Sequence, residues 1–122
     1  MANAKSSGEH WEYATVDTAP AQGSGGYYTN EVAPRSKKLS NGFYFSIRES
    51  VDDSSPSTIV VKLQFKCPRD AGWSDYLKNG TDNWPIGTRV KVNDNAAGVL
   101  WRAGVVDNSD YTSGSVTFGF DW

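Results

Sequence analysis

The chain is short of the residues that most often carry chemistry: in 122 positions it has one cysteine, Cys67, and one histidine, His10. A lone thiol excludes an intramolecular disulfide and any cysteine-rich metal site, and it fits synthesis in a reducing compartment. A catalytic triad, a histidine metal centre or a histidine base would all have to use His10. Basic clusters are missing too, with 12 Lys and Arg against 14 Asp and Glu and a net charge of −2. Without concentrated positive charge there is nothing to neutralise a phosphate backbone, so nucleic acid is not an expected partner. No run approaches the roughly 20 apolar residues of a membrane span, and no membrane partner is expected. The opening Met1-Ala2-Asn3-Ala4-Lys5 lacks the apolar region of an export signal, which predicts a soluble protein not exported by that route. Neither an EF-hand loop nor a glycine-rich phosphate loop occurs. The expectation is a protein with no catalytic residues, no metal and no cofactor.

What the chain does have is alternation. Ser115 to Trp122 places Val116, Phe118, Phe120 and Trp122 on one face of a strand, with Ser115, Thr117, Gly119 and Asp121 on the other. Gly42 to Glu49 sets Phe43, Phe45 and Ile47 against Tyr44, Ser46 and Arg48. Thr58 to Lys66 sets Ile59, Val61, Leu63 and Phe65 inward, with Lys62, Gln64 and Lys66 outward, and reads as the best central strand. Thr88 to Val92 and Gly98 to Val106 alternate as well, the latter with Val99, Trp101, Ala103 and Val105 on one face. A short strand is expected in Gly72 to Leu77. Turns are expected at Asp52-Asp53-Ser54-Ser55-Pro56, at Lys78-Asn79-Gly80-Thr81, at Asn93-Asp94-Asn95 and at Asp107-Asn108-Ser109-Asp110. Short strands at roughly ten-residue spacing with no helical period predict an all-β fold, an antiparallel β-sandwich of jelly-roll or immunoglobulin-like kind. The strand order is not readable from the sequence.

Residues 1–41 differ in composition, being rich in Ala, Ser, Gly and Pro, with Gly23-Ser24-Gly25-Gly26 between Pro20 and Pro34. They predict an extended N-terminal arm, followed by a β-sandwich domain over 42–122. The arm nevertheless carries Trp11, Tyr13, Val16, Tyr27 and Tyr28, which a solvated linker does not need. Those five are the candidate partner-binding residues, with Trp11 to Val16 and Gly26 to Thr29 able to pair as edge strands or to lie across another surface.

The carboxylates offer little beyond structure. Most stand beside Ser, Asn, Gly or Pro, where Asp is favoured because its side chain bonds the local backbone. Cys67, before Pro68 at a strand end, reads as a structural thiol. The aromatics are the stronger signal: five Trp, six Tyr and five Phe make 13% of the chain. Trp73, Tyr76 and Trp84 fall in a loop-rich stretch and form a candidate exposed platform. Such platforms stack on sugars or sit in protein interfaces, and plain packing is a third role.

The segments Asp94-Asn95-Ala96-Ala97-Gly98-Val99-Leu100-Trp101-Arg102-Ala103-Gly104-Val105 and Asp110 to Trp122, together with Val61 to Lys66 and Gly72 to Tyr76, resemble small structural proteins of tailed bacteriophages. The likeness is one of texture and covers about the last half of the chain. It implies a virion component with no catalytic residues to carry over, such as a capsid decoration or cement protein that binds the major capsid protein. On that basis the expected protein is a homo-oligomer, made in the host cytoplasm and located in the virion, clasping its neighbours through the arm and an aromatic-rich surface. A minor tail or fibre-adaptor protein fits the same chemistry. The alternative from another class is a carbohydrate-binding adhesion module that uses Trp73, Tyr76 and Trp84.

Overall fold

The structure, a computed structural model, describes residues 3–20, 25–33, 42–49, 59–77, 84–93, 98–112 and 114–122. The turns expected at 52–56, 78–81 and 94–95 lie outside the described residues. Among the described residues there are nine strands: β1 (Ala4–Ser7), β2 (Trp11–Val16), β3 (Tyr27–Tyr28), β4 (Phe43–Glu49), β5 (Lys62–Lys66), β6 (Ser74–Asp75), β7 (Arg89–Val92), β8 (Leu100–Val105) and β9 (Val116–Asp121). A short 3-10 turn covers Asn108–Asp110, where a turn is expected.

The strands form two antiparallel sheets, ordered β1-β2-β9-β4-β7 and β3-β8-β5-β6. The expected all-β sandwich is therefore present, and its winding is legible in the pairs. β2 pairs with β9, β3 with β8, β4 with β7 and β5 with β6. Each pair joins a strand from one end of the series to its counterpart from the other. This is a single antiparallel ribbon, closed on itself by the β4–β9 and β5–β8 contacts. That arrangement is a jelly roll, with β1 added outside β2.

The pairing corrects the division at residue 41. β1 and β2, both in the expected arm, are strands of the first sheet, and β2 lies inside it between β1 and β9. Ala14 and Val16 are buried, as is Val32, whose backbone bonds that of Trp101 in both directions at 2.8 and 2.9 Å. The reason is the alternation of Trp11 to Val16, which gives β2 an inner face of Glu12, Ala14 and Val16 to place beside Phe118 and Phe120. Glu12, also buried, takes hydrogen bonds from the Ser7 hydroxyl and the Asn30 backbone N–H, tying β1 and β2 to the chain after β3.

Strand faces follow the alternation of the sequence. Phe43, Phe45, Ile47, Val61, Leu63, Trp101, Ala103, Val105, Val116, Phe118 and Phe120 are all at most 1% exposed. Burial of the Val, Leu, Ile and Phe side chains among them is worth about 1.5–3 kcal/mol each. Six rings close a circuit through the core: Phe120 to Phe43, Phe43 to Trp101, Trp101 to Tyr76, Tyr76 to Trp84, Trp84 to Phe45 and Phe45 back to Phe120, with centroids 5.0–6.2 Å apart. Members of this circuit come from β4 and β9 in one sheet and β8 in the other, so it fastens the two layers together.

Candidate functional site

The circuit also overturns part of the expected platform. Tyr76 and Trp84 are 8% and 7% exposed and stack on each other with planes 7° apart. Their backbone N–H groups bond the carbonyls of Leu63 and Val61. The loop positions thereby extend the pairing along β5 and turn both rings inward. An exposed platform of Trp73, Tyr76 and Trp84 does not exist; Trp73 alone reaches the outer surface, half-buried.

The expected arm residues also separate. Val16 is fully buried, and Tyr27, half-buried, packs against the core with the Lys5 ammonium 5.4 Å from its ring centroid. Trp11 and Tyr13 instead join an outer-face cluster on the five-stranded sheet. Register places Trp11, Asp121, Tyr44 and Lys91 in one row across β2, β9, β4 and β7, and Tyr13, Gly119, Ser46 and Arg89 in the next. Trp11 and Tyr44, 38% and 42% exposed, flank the Asp121 carboxylate. Gly119 leaves room for the Tyr13 ring to lie down beside it, since a Cβ there would come within 2.7 Å of Tyr13 Cδ1.

Asp121 is the hub of this cluster. Its Oδ2 accepts a hydrogen bond of 2.5 Å from the Tyr13 hydroxyl and lies 3.3 Å from Arg89 Nη1. The Arg89 guanidinium is 4.5 Å from the Tyr44 ring centroid, and the Trp11 and Tyr13 rings are 6.0 Å apart. Partial burial, and then the bond to Asp121, push the Tyr13 hydroxyl above its ordinary pKa of 10.0. The exposed Arg89–Asp121 pair adds at most about 1 kcal/mol. Its effect is geometric: one carboxylate and one guanidinium are held at fixed positions between aromatic faces. The strand alternation already places Tyr44 and Asp121 outward. What is unreadable without the β4–β9 pairing is that they meet, and that Arg89 joins them.

The outer face of the four-stranded sheet carries a second cluster. The Arg102 guanidinium lies 3.7 Å from the Tyr28 ring centroid and 4.4 Å from that of Trp73, and Lys66 is 5.7 Å from the same indole. Arg102 Nε donates to Gln64 Oε1 at 2.9 Å, and Gln64 Nε2 donates to Asp75 Oδ1 at 2.8 Å. Gln64, outward on its strand, is 7% exposed because this cluster roofs it over. Tyr28 lies over Gly104, where a Cβ would meet the Tyr28 Cδ1 at 2.4 Å.

Among the described residues no group of three or more His, Cys, Asp or Glu side chains is placed to hold a metal ion. His10 is exposed, and its carbonyl accepts the Trp122 backbone N–H. Asp70 closes a turn as expected, its Oδ2 accepting from the Cys67 N–H at 2.9 Å. Half-buried Cys67 helps line an apolar cavity of about 110 Å³ with Phe65, Tyr76, Val99 and Trp101. Among the described residues no charged group enters that lining.

No family model, curated protein or solved structure matches the chain.

Proposed function

We propose that the protein is a non-enzymatic structural component of a bacteriophage virion, a capsid decoration or cement protein that binds the major capsid protein through the outer face of its five-stranded sheet. The observation that carries this reading is the exposure of Trp11 and Tyr44 on one face, either side of the Asp121–Arg89 pair. Trp, Tyr and Arg dominate the energetics of protein interfaces, and a β-sheet face presents them without having to order them on binding. Jelly rolls build viral capsid domains, a fold-level analogy that agrees with the likeness to phage structural proteins. The clasp changes form: β2 carries Trp11 and Tyr13 to the face, and β1 offers its outer edge for strand addition. Homo-oligomers repeated on a shell would then bind by avidity.

The test is incorporation into particles. Trp11→Ala together with Tyr44→Ala should leave the thermal transition near that of the parent and abolish co-sedimentation with capsids. Full incorporation of the double variant would refute the reading. Labelling in electron micrographs separates a head position from a tail or fibre-adaptor position.

One observation favours a second reading, a carbohydrate-binding adhesion module. Exposed aromatic faces beside a fixed carboxylate and guanidinium are the composition that stacks on sugar rings and bonds their hydroxyls. With Tyr76 and Trp84 buried, that site moves to Trp11 and Tyr44. Glycan-array binding lost in Trp11→Ala would support it.

A further inference from the structure

We propose that the outer face of the four-stranded sheet is a carboxylate-recognition site centred on Arg102, which receives an acidic side chain from a protein partner. This site is on the opposite layer from Trp11 and Tyr44 and does not depend on their role.

Arg102 is held in place from three directions. Tyr28 and Trp73 approach from opposite sides of β8, because β3 borders that strand on one side and β5 with β6 on the other. Their rings, at 3.7 and 4.4 Å, leave the guanidinium little rotational freedom. The third constraint is the buried Gln64, whose Oε1 takes the Nε–H and whose own amide is fixed on Asp75. Once Nε is committed, the four donors on the two Nη atoms remain, in the planar fork that matches a carboxylate.

Among the described residues that fork has no ion-paired carboxylate, and Glu31 acts on it only from beyond ion-pair distance. The ion pairs among the described residues join Lys62 to Asp75 and Arg89 to Asp121, leaving Arg102 without a carboxylate. A partly desolvated guanidinium held by aromatic faces and an amide, with no ion pair among the described residues, gains from a carboxylate that can reach it. Lys66, beside Trp73, adds a second cation on the path of an approaching acid.

Two features select a carboxylate over a phosphate. Asp75 is fixed to Gln64 next to the site, and Glu31 acts on Arg102 electrostatically. Both penalise a doubly charged ligand more than a singly charged one. Among the described residues the cations on this face, Lys62, Lys66 and Arg102, are also too few for a polyanionic backbone. Arg, Trp and Tyr packed together are the composition of an interface hot spot, which makes the acid's source a protein.

The experiment titrates the full chain with an N-acetylated, amidated tetraglutamate peptide, following the Arg102 Nε–H and Trp73 indole N–H by nuclear magnetic resonance. A tetraglutamine peptide and inorganic phosphate serve as the comparison probes. Saturable shifts at both groups are expected with tetraglutamate and none with tetraglutamine. Phosphate should bind about tenfold or more weakly, and Arg102→Lys, which keeps the charge and loses the fork, should weaken tetraglutamate binding by about tenfold. Trp73→Ala, which spares the guanidinium, should weaken it too. The proposal is overturned if tetraglutamate fails to shift these resonances, if phosphate binds as tightly as the peptide, or if both variants bind it like the parent.

Discussion

Gly119 faces Tyr13 across the β2–β9 ladder, and a side chain at 119 would have nowhere to go: its Cβ would lie 2.1 Å from the Glu12 carbonyl oxygen and 2.7 Å from the Tyr13 Cα. Backbone cannot swing aside as a flexible side chain can. Gly119→Ala is therefore expected to destabilise the fold by about 3 kcal/mol, the upper end of overpacking costs. A urea midpoint unchanged from the parent would show that the two strands do not meet in this register.

Removal of residues 1–16 tests whether the N-terminal segment is an appendage or a structural strand. With β1 and β2 gone, β9 becomes an edge, and Phe118 and Phe120 lose the cover of Ala14 and Val16. Loss of the cooperative thermal transition is expected, because apolar surface and a full ladder of hydrogen bonds disappear together. A truncated chain that melts within a few degrees of the parent would restore the segment to the status of a separate arm.

Trp84 and Trp11 should respond to the same truncation by very different amounts. Trp84→Ala opens a cavity in the aromatic circuit and is expected to cost about 3–5 kcal/mol. Trp11→Ala, on the outer face, should change stability by about 0.5–1 kcal/mol. Chemical denaturation of both variants checks the assignment, and comparable losses would contradict the burial difference between them.

Alkaline pH should act through Tyr13. Its hydroxyl is neutral in the fold to a higher pH than in the unfolded chain, where it ionises near 10.0. The stabilisation from this group is thus fully present below pH 10 and declines as pH rises from there through the folded-state value. Tyr27 and Tyr28 are raised in the same direction by burial, so their contributions fall in the same window. In Tyr13→Phe the decline above pH 10 should be shallower. Asp121→Asn should bring one tyrosine back toward its ordinary range in a tyrosinate absorbance titration. An unchanged titration curve in that variant would sever Tyr13 from Asp121.

Strand faces were legible because burial imposes a period of two wherever a strand is long and one-sided. Phe43 to Ile47, Trp101 to Val105 and Val116 to Phe120 all announce their inner residues this way. β1 does not: Ala4-Lys5-Ser6-Ser7 is exposed throughout and is a strand only because β2 gives it a ladder. Tyr76 and Trp84 were opaque for a related reason. Their neighbours have loop composition, and only the hydrogen bonds to Leu63 and Val61 turn the rings inward. Both surface clusters join residues remote in the chain, Tyr28 with Trp73 and Arg102, and Tyr13 with Tyr44, Arg89 and Asp121. Local pattern fixes which way each points, and pairing decides whom it meets.

The ribbon winding has a temporal cost. β9 is synthesised after every other described strand, yet it occupies the middle of its sheet, with β2 on one side and β4 on the other. Until Val116 to Asp121 leave the ribosome, β2 and β4 have no common neighbour and the aromatic circuit lacks Phe120. Folding must then close the long loops from β2 and β4 to β9, a high-contact-order search that leaves Ala14, Val16, Phe43 and Phe45 uncovered in the nascent chain. Nascent copies should accordingly lean on holdase chaperones until β9 has been made and has paired with β2 and β4.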